Sequence, residues 1–204
     1  MKTKILKIKG DWQEVVDDCR VTVSKPPLGK EPSEKFKRDI LIAEHTPIRN
    51  ISIRFLWENI PYCIAMHWKT HIWQSKVNTQ RADRTEVVDR SKRSQTDPVT
   101  FVGEMNAQNE IDTMRKRLCF MADPDTRALA EEHKRDLKNY EPEISDVLVP
   151  NCVYRGGCPE IGGGCGLWTK FNQWAWRTNK IDIGHCGIQL RYKLYNDFFN
   201  NGYK

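Results

Sequence analysis

The chain has 204 residues, of which 39% are hydrophobic and 29% are charged. A chain of this length can bury a sizeable core in one domain, so its fold need not depend on disulfides or metal ions. The net charge of +6 suits a ligand that carries phosphate, and because the basic residues are scattered, we expect a nucleotide-sized ligand rather than a nucleic-acid polymer. No apolar run reaches the roughly 18 residues of a membrane helix, and the basic start lacks the pattern of a signal peptide. We therefore predict a cytoplasmic protein with no membrane partner.

The first half of the chain alternates between strand and helix patterns. Apolar and polar residues alternate over residues 3–9 and predict a strand, and residues 11–18 predict a short helix. Three further segments follow, namely a short strand at 21–24, a helix at 34–44 and a strand at 50–56. Residues 61–74 predict a helix that carries Pro61 in its first turn.

The second half carries helix signals and a long loop. Residues 75–97 are polar and basic without an apolar period, which predicts a loop. Asp97-Pro98 and Asp123-Pro124 each place a capping residue before a proline and predict two helix starts, the second helix running to about Tyr140. Residues 150–166 predict a loop rich in glycine and cysteine, and the tail after it has no clear pattern. The segments together predict an α/β fold of the α+β kind, with a mixed or antiparallel sheet flanked by helices.

A group of polar residues surrounds the predicted strand and helix between residues 44 and 84. Thr46-Pro47 precedes the strand, Thr70-His71-Ile72 stands near the end of the helix, and Thr79-Gln80-Arg81 follows. Hydroxyl, imidazole and guanidinium groups clustered at a helix end can hold a polyanionic ligand. This order resembles the flavin-dependent thymidylate synthases, which carry a Thr-Pro pair before a strand, a helix that ends in Arg-His-Arg, and then Ser-x-Arg.

A second motif supports the resemblance. Asn106-Ala107-Gln108 leads to Arg117 eleven residues after the asparagine, where the family has Asn-Ala-Arg and an arginine at the same spacing. Eleven residues are about three helical turns, so Asn106 and Arg117 would share one helix face. The chain departs from the family because both arginines beside the histidine are lost, Gln108 replaces an arginine and Asp112 replaces an asparagine. The helical segment between the motifs is also shorter, and its nucleotide-binding arginine has no recognisable counterpart.

The resemblance implies a flavoenzyme that acts on a pyrimidine deoxynucleotide. In the family, a reduced nicotinamide cofactor reduces bound FAD, and a one-carbon unit passes from methylenetetrahydrofolate to C5 of deoxyuridylate. The resemblance thus implies conversion of dUMP to dTMP, with FAD as cofactor, NADPH and methylenetetrahydrofolate as co-substrates, and a homotetramer with shared sites. It also implies a flavin and nucleotide domain over residues 1–149, with residues 150–204 as an extension of the same domain.

The resemblance also implies roles for individual side chains. Arg117 is the candidate catalytic residue, because a fixed guanidinium stabilises negative charge that develops on a pyrimidine ring. Its alternative is a surface arginine in the basic run Arg115–Arg117. Substrate binding is expected from His67, Asn78, Thr79, Arg81, Arg84 and Arg117. Flavin binding is expected from Thr46, Thr70, His71, Ile72, Asn106 and Gln108. The alternative for Thr79 and Arg81 is a solvated loop, for His67 an exposed helix histidine, and for Thr46 a strand-start cap.

Several other interpretations stay open. The lost arginines favour C5 methylation or hydroxymethylation of another pyrimidine nucleotide, such as dCMP. The seven cysteines predict thiols or metal ligands rather than disulfides, and a zinc-stabilised binding module would use Cys152, Cys158, Cys165 and Cys186. The basic stretch 76–93 could bind RNA or DNA, but it lacks the interleaved aromatic residues that stack bases, which favours a solvated loop near a phosphate site. His67 and His71 have the spacing of a zinc-protease helix, but Trp68 stands where that motif needs its glutamate, so we expect no catalytic metal there.

Overall fold

The computed structural model describes residues 1–71, 73–78 and 89–204, apart from the side chain of Arg90. Within these ranges the chain forms four strands, nine α-helices and two short 3-10 helices. In chain order they are β1 (Lys2–Lys9), α1 (Trp12–Val21), α2 (Glu34–Ala43), a 3-10 helix (Thr46–Asn50), β2 (Ser52–Pro61), α3 (Tyr62–Lys69), β3 (Gln74–Val77), a 3-10 helix (Arg90–Lys92), β4 (Pro98–Asn106), α4 (Ala107–Arg117), α5 (Pro124–Leu137), α6 (Pro142–Val147), α7 (Asn151–Arg155), α8 (Leu167–Asn179) and α9 (Ile188–Asn200).

The four strands form one sheet in the order β1-β2-β4-β3, and every neighbouring pair is antiparallel. The α+β class and the antiparallel sheet flanked by helices are therefore confirmed. In β4, buried and half-buried residues alternate, which is the pattern of a strand with one face on a core. That inner face carries an aromatic layer in which Trp57 pairs with Phe101 at a ring separation of 5.1 Å.

One glycine is required by this layer. Gly103 lies opposite Phe55 in the β2–β4 register. A Cβ at Gly103 would lie 2.2 Å from Cζ of Phe55 and 2.6 Å from Cζ3 of Trp73. Since neither ring has room to withdraw from the packed layer, the position admits no side chain.

Helices cover the sheet and then extend the core. Helix α5 lies on β1, where the backbone N–H of Ile5 donates to Oδ2 of Asp136 at 2.7 Å. Helix α9 joins the same core through buried side chains such as Tyr195 and Phe199. The Arg191 side chain is also buried there, and its Nε donates to the carbonyl of Val153 at 2.6 Å. Residues after 150 thus share one hydrophobic core with the sheet and its helices.

Helix starts follow the expected capping chemistry. Asp123 caps α5, accepting from the backbone N–H of Thr126 at 3.0 Å, and Pro124 is the first helical residue. Asn106 caps α4 in the same way, accepting from the N–H of Asn109 at 2.9 Å. Asn106 therefore precedes the helix that carries Arg117, and the Asn106 side chain contacts the first turn of that helix.

Five local predictions were wrong. Residues 21–24 end α1 and form a turn, because Val21 and Val23 are 63% and 60% exposed and have no partner strand. Asp97-Pro98 begins strand β4 rather than a helix. The predicted loop at 75–97 includes most of β3, and the predicted helix at 61–74 ends at Lys69. Part of the glycine-rich segment 150–166 forms α7.

No helix within the described residues is both long and apolar enough to cross a membrane.

Candidate functional site

A cleft of about 540 Å³ lies between the end of α3, helix α4 and helix α7. Thr70, His71 and Trp73 line it on the α3 side, and Asn109, Thr113 and Lys116 line it from α4. Helix α7 closes the third side with Asn151, Tyr154 and Arg155. The lining combines aromatic rings, hydroxyls, amides and cations, and the volume lies within the range of small-molecule sites.

Arg117 contacts His71, which lines this cleft, although Arg117 itself is not a lining residue. Nε of Arg117 donates to Nε2 of His71 at 2.9 Å, and Nη2 donates to the carbonyl oxygen of His67 at 2.9 Å. The guanidinium also lies over the ring of Trp68, 5.8 Å from its centre. The last residue of α4 is thereby tied to the end of α3, and the candidate catalytic residue touches a candidate flavin residue.

The charge state of His71 follows from this contact. Burial lowers its pKa to about 4, and the positive charges of Arg117 and Lys116 act in the same direction. The ring is therefore neutral at neutral pH. Because Nε2 accepts from Arg117, the proton of the neutral ring is on Nδ1, and His71 offers an N–H donor. Burial also lowers the pKa of Arg117, but a guanidinium stays charged at neutral pH.

A buried ion pair supports the α7 wall. Arg115 is 8% exposed and forms a close ion pair with Glu44, which follows α2 in a left-handed conformation with a φ of 53°. The guanidinium carbon of Arg115 stacks 3.6 Å from the ring centre of Tyr154. This network fixes the position of Tyr154, and with it the neighbouring Arg155 on the cleft wall.

Gln108 belongs to the same network. Its amide nitrogen donates to Oε2 of Glu44 at 2.7 Å and to Oδ1 of Asp112 at 3.3 Å. Gln108 is 8% exposed and does not line the cleft. The structure thus gives Gln108 and Asp112, two of the residues that depart from the family pattern, a role beside Arg115.

Two cations in the cleft have no carboxylate partner. Lys116 and Arg155 face the cleft from α4 and α7, and neither forms an ion pair within the residues that the structure describes. Asp112, the only acidic residue that lines the cleft within the described ranges, pairs with Arg115 at 3.3 Å. The cleft therefore carries a positive potential suited to phosphate.

The other predicted residues are divided between the cleft and elsewhere. Thr70 lines the cleft, and its hydroxyl donates to the carbonyl of His67 at 2.7 Å. The His67 ring instead faces α5, with Nδ1 lying 3.3 Å from Oγ1 of Thr126. Asn78 extends the β3–β4 pairing, its side chain accepting from the N–H of Thr100 at 3.0 Å. Thr46 lines a separate, mostly apolar groove beside α1 and α2.

Four of the predicted site residues lie outside the described residues. They are Ile72, Thr79, Arg81 and Arg84.

Sequence reasoning missed the α7 wall. Tyr154 and Arg155 lie in a segment interpreted as a loop, although Pro150 before Asn151 is a helix-start signal. It also missed a smaller cleft of about 350 Å³ beside α8, which is lined by Lys170, Trp174 and Arg177 and to which Lys204 also contributes. The stretch 161–181 contains tryptophans and basic residues but no acidic residue, and this pattern could have indicated the cationic cleft.

The structure groups the cysteines differently from the zinc hypothesis. Cys119, Cys152, Cys158 and Cys165 lie near one another, whereas the thiol of Cys186 donates to the carbonyl of Ile183 at 3.5 Å. Across the described ranges, no three His, Cys, Asp or Glu side chains are arranged to hold a metal ion.

Comparison with known proteins shows likeness in structure alone. No family model matches the sequence, and no curated protein matches it significantly. The flavin-dependent thymidylate synthase ThyX from Helicobacter pylori, complexed with FAD and dUMP, is similar in two crystal structures. Both have a TM-score of 0.59 and 12% identity, covering 73% and 72% of this chain and 100% and 99% of theirs.

A second similar protein is a UMP/dUMP methylase, PolB from Streptomyces cacaoi, whose crystal structure was determined with bound 5-Br dUMP. The TM-score is 0.55 at 10% identity, and the match covers 72% of this chain and 93% of that one. Likeness at 10–12% identity establishes a shared fold. The chain therefore has the fold of the flavin-dependent thymidylate synthases, and the predicted family resemblance is confirmed at the level of the fold.

Proposed function

We propose that this protein transfers a one-carbon unit to C5 of a pyrimidine deoxynucleotide in an FAD-dependent reaction, converting dUMP to dTMP. Support comes from the fold, which the FAD- and dUMP-complexed synthase and the UMP/dUMP methylase share. The observation that carries the proposal is the contact of Arg117 with His71, the histidine that lines a cationic cleft.

The chemistry requires a fixed positive charge. C5 of a pyrimidine is a poor nucleophile, and it gains reactivity when negative charge that develops on the ring is stabilised. A guanidinium held by two hydrogen bonds and a tryptophan face is preorganised for this task, because it need not rotate or shed water as the charge develops. Within the described residues, Nη1 of Arg117 makes no hydrogen bond, so this end can donate to a ring carbonyl.

The chemistry of the cleft fits a flavin dinucleotide. Trp73 lines the cleft, and its indole Nε1 is buried without a hydrogen-bond partner within the described part of the chain. We assign the ring edges of the flavin to His71, Thr70 and Trp73, and its diphosphate to Lys116 and Arg155. When bound, FAD would supply the electrons that convert the transferred carbon into a methyl group. His71 would serve as a neutral Nδ1–H donor that orients the ring system.

The substrate phosphate is assigned to Thr79, Arg81 and Arg84, with His67 and Asn78 as further contacts. Thr46, Asn106 and Gln108 remain candidate flavin contacts, and for a single chain Thr46 lies on a separate groove. We propose a homotetramer in which neighbouring subunits complete one site, with NADPH as reductant and methylenetetrahydrofolate as carbon donor. We propose that the protein is cytoplasmic. We also propose that residues 1–149 form the flavin and nucleotide domain, and that α7 of the extension supplies one wall of its cleft.

The absence of the family's arginines beside His71 favours a second candidate substrate. Thr70 and Ile72 stand where the family has arginines beside the histidine, and Gln108 engages Glu44. These changes favour C5 methylation or hydroxymethylation of dCMP, which differs from dUMP at the 4-position of the ring.

One set of experiments tests both substrates. We expect purified protein incubated with FAD to show a flavin spectrum after removal of free FAD. With NADPH and methylenetetrahydrofolate added, we expect a product that carries the transferred carbon at C5. The product forms from dUMP, or from dCMP if the second substrate is correct. Flavin binding without turnover of either nucleotide would rule out both reactions, and absence of flavin binding by the oligomer would rule out the flavoenzyme.

A further inference from the structure

A second cleft, of about 350 Å³, lies beside α8 and is not used by the proposed reaction. Five residues of α8 line it, namely Lys170, Gln173, Trp174, Arg177 and Thr178. Steps of three and four positions connect them, so they share one face of the helix. Within the described ranges this cleft has no lining residue in common with the cleft between α3, α4 and α7.

The positive charge on this side of α8 is not neutralised. Lys170 and Arg177 line the cleft, and Lys180 follows Arg177 by three positions. In the part of the chain that the structure describes, none of these three side chains forms an ion pair or a hydrogen bond, and no acidic residue lines the cleft. The stretch 161–181 contains no acidic residue either. Cations without a carboxylate partner remain available to bind phosphate groups.

Tryptophans lie on both sides of these cations. Trp174 lines the cleft, and its ring packs on Phe198 at a centroid separation of 5.4 Å, which holds the indole in place. Trp176 is 57% exposed and lies four positions before Lys180, so these two side chains are neighbours on the helix surface. At about 100° per residue, the two tryptophans lie on opposite sides of Arg177 around the helix.

We propose that α8 binds single-stranded nucleic acid, with phosphates on Lys170, Arg177 and Lys180 and with bases stacked on Trp174 and Trp176. A single strand offers both features that this surface recognises, namely a row of phosphates and bases whose flat faces are accessible. Lys170 and Lys180 are ten positions apart, which is roughly 15 Å along the helix and spans a few nucleotides.

The distribution of charge and aromatic rings distinguishes α8 from the rest of the chain. Basic residues are scattered over the whole sequence, and the basic stretch 76–93 contains no aromatic residue. In α8 the two residue types are interleaved on one exposed surface, which is the combination that binds single strands without sequence preference. A duplex hides the faces of its bases in the stack, so it should bind more weakly. This inference does not depend on the proposed reaction.

The test measures binding of the full-length protein to a fluorescein-labelled oligothymidylate of about 12 nucleotides by fluorescence anisotropy. We expect the affinity to fall with salt, with a slope of log affinity against log salt of about −2, because three phosphates are neutralised. A duplex of the same length should bind more weakly, and free thymidine monophosphate should compete poorly.

Two kinds of variant assign the contacts to α8. W176A removes an exposed ring and should weaken binding at least about fivefold, with Y140A as its control, because Tyr140 is 52% exposed elsewhere on the surface. R177A should weaken binding and make the salt slope shallower by about 0.7. K193A is its control, because Lys193 lines a different cleft and its loss removes the same charge.

Three results would overturn the inference. The first is the absence of salt-dependent binding to the oligonucleotide by the wild-type protein. The second is an equal loss of affinity in each variant and its control, since binding would then follow net charge and not α8. The third is competition by thymidine monophosphate as strong as that by the unlabelled oligonucleotide, which would mean that no strand is recognised. Circular dichroism establishes that the variants compared are folded.

Discussion

Nε of Arg117 donates a hydrogen bond to Nε2 of His71 across 2.9 Å, joining residues 46 positions apart in the sequence. One lies at the last turn of α4 and the other just past α3. The contact fixes the tautomer of the histidine and the orientation of the guanidinium at once. Two side chains assigned to different ligands, a pyrimidine and a flavin, are thus in direct contact, and His71 of this pair lines the cleft.

Replacing Arg117 should separate catalysis from folding. We expect R117K to retain the fold but to lose turnover by roughly 100-fold or more, because a lysine cannot bond His71 and the ring with a rigid fork. In R117Q the pKa of His71 should rise, since the charge of Arg117 contributes to lowering it. Steady-state kinetics and NMR titration of the imidazole measure the two effects.

The control for this prediction is R38K. Arg38 pairs with Glu34 on the exposed side of α2, and its replacement should leave turnover and the His71 titration unchanged. Wild-type turnover in R117K would show that turnover does not require the guanidinium group of Arg117.

His71 should make stability depend on acid pH. Its pKa is about 4 in the folded chain against an ordinary value of 6.5, so the unfolded chain binds the proton first as pH falls. The free energy of unfolding should be unaffected by this group above pH 6.5 and should fall between pH 6.5 and pH 4. The loss is at most about 3 kcal/mol, and less because the ring is half-buried.

Urea denaturation at successive pH values checks this prediction against H71N, which cannot take up a proton in this range. The difference in unfolding free energy between the two proteins should narrow as pH falls from 6.5 to 4. A difference that does not vary with pH would mean that His71 titrates normally in the folded chain.

Lys116 and Arg155, the two cations of the cleft that form no ion pair among the described residues, should control flavin affinity. We expect K116A and R155A each to weaken FAD binding roughly tenfold, because each removes a charge-assisted contact to phosphate. The loss should shrink at high salt. Fluorescence titration measures the dissociation constants, and K193A is the control, because Lys193 lines a different cleft. Equal affinity in all three variants would place the diphosphate elsewhere.

A buried histidine under the sheet should matter for stability alone. His133 is fully buried, accepting at Nδ1 from Nε1 of Trp57 at 3.2 Å and donating from Nε2 to Glu110 at 3.1 Å. We expect H133F to lower the free energy of unfolding by about 3–5 kcal/mol, because it leaves a buried indole N–H and a buried carboxyl group unpaired.

Chemical denaturation of H133F is compared with that of H185F. His185 pairs with Asp182 at an exposed turn, with 89% of its side chain accessible, so its loss should leave the midpoint unchanged. A wild-type midpoint for H133F would mean that the buried network contributes nothing net.

Local patterns predicted some elements correctly and others wrongly for identifiable reasons. Residues 34–44 and Asp123-Pro124 carried helix signals that packing reinforced, and both segments are helical. Asp97-Pro98 has the chemistry of a helix start, yet Pro98 lies opposite Pro61 at the end of two paired strands. The alternation of inner residues such as Val99 and Phe101 was the stronger signal. Strand β3 is too short and polar to be seen without its partner.

The sequence by itself determined the α+β class, a mixed or antiparallel sheet and the family resemblance, because strand alternation and short ordered motifs are properties of neighbouring residues. Only the tertiary structure decided which motif residues meet. It brought Arg117 to His71, and it turned the His67 ring toward Thr126. It also formed the third wall of the cleft from Tyr154 and Arg155. Such pairings depend on how separate elements pack in a shared core, and spacing along the chain carries no record of that packing.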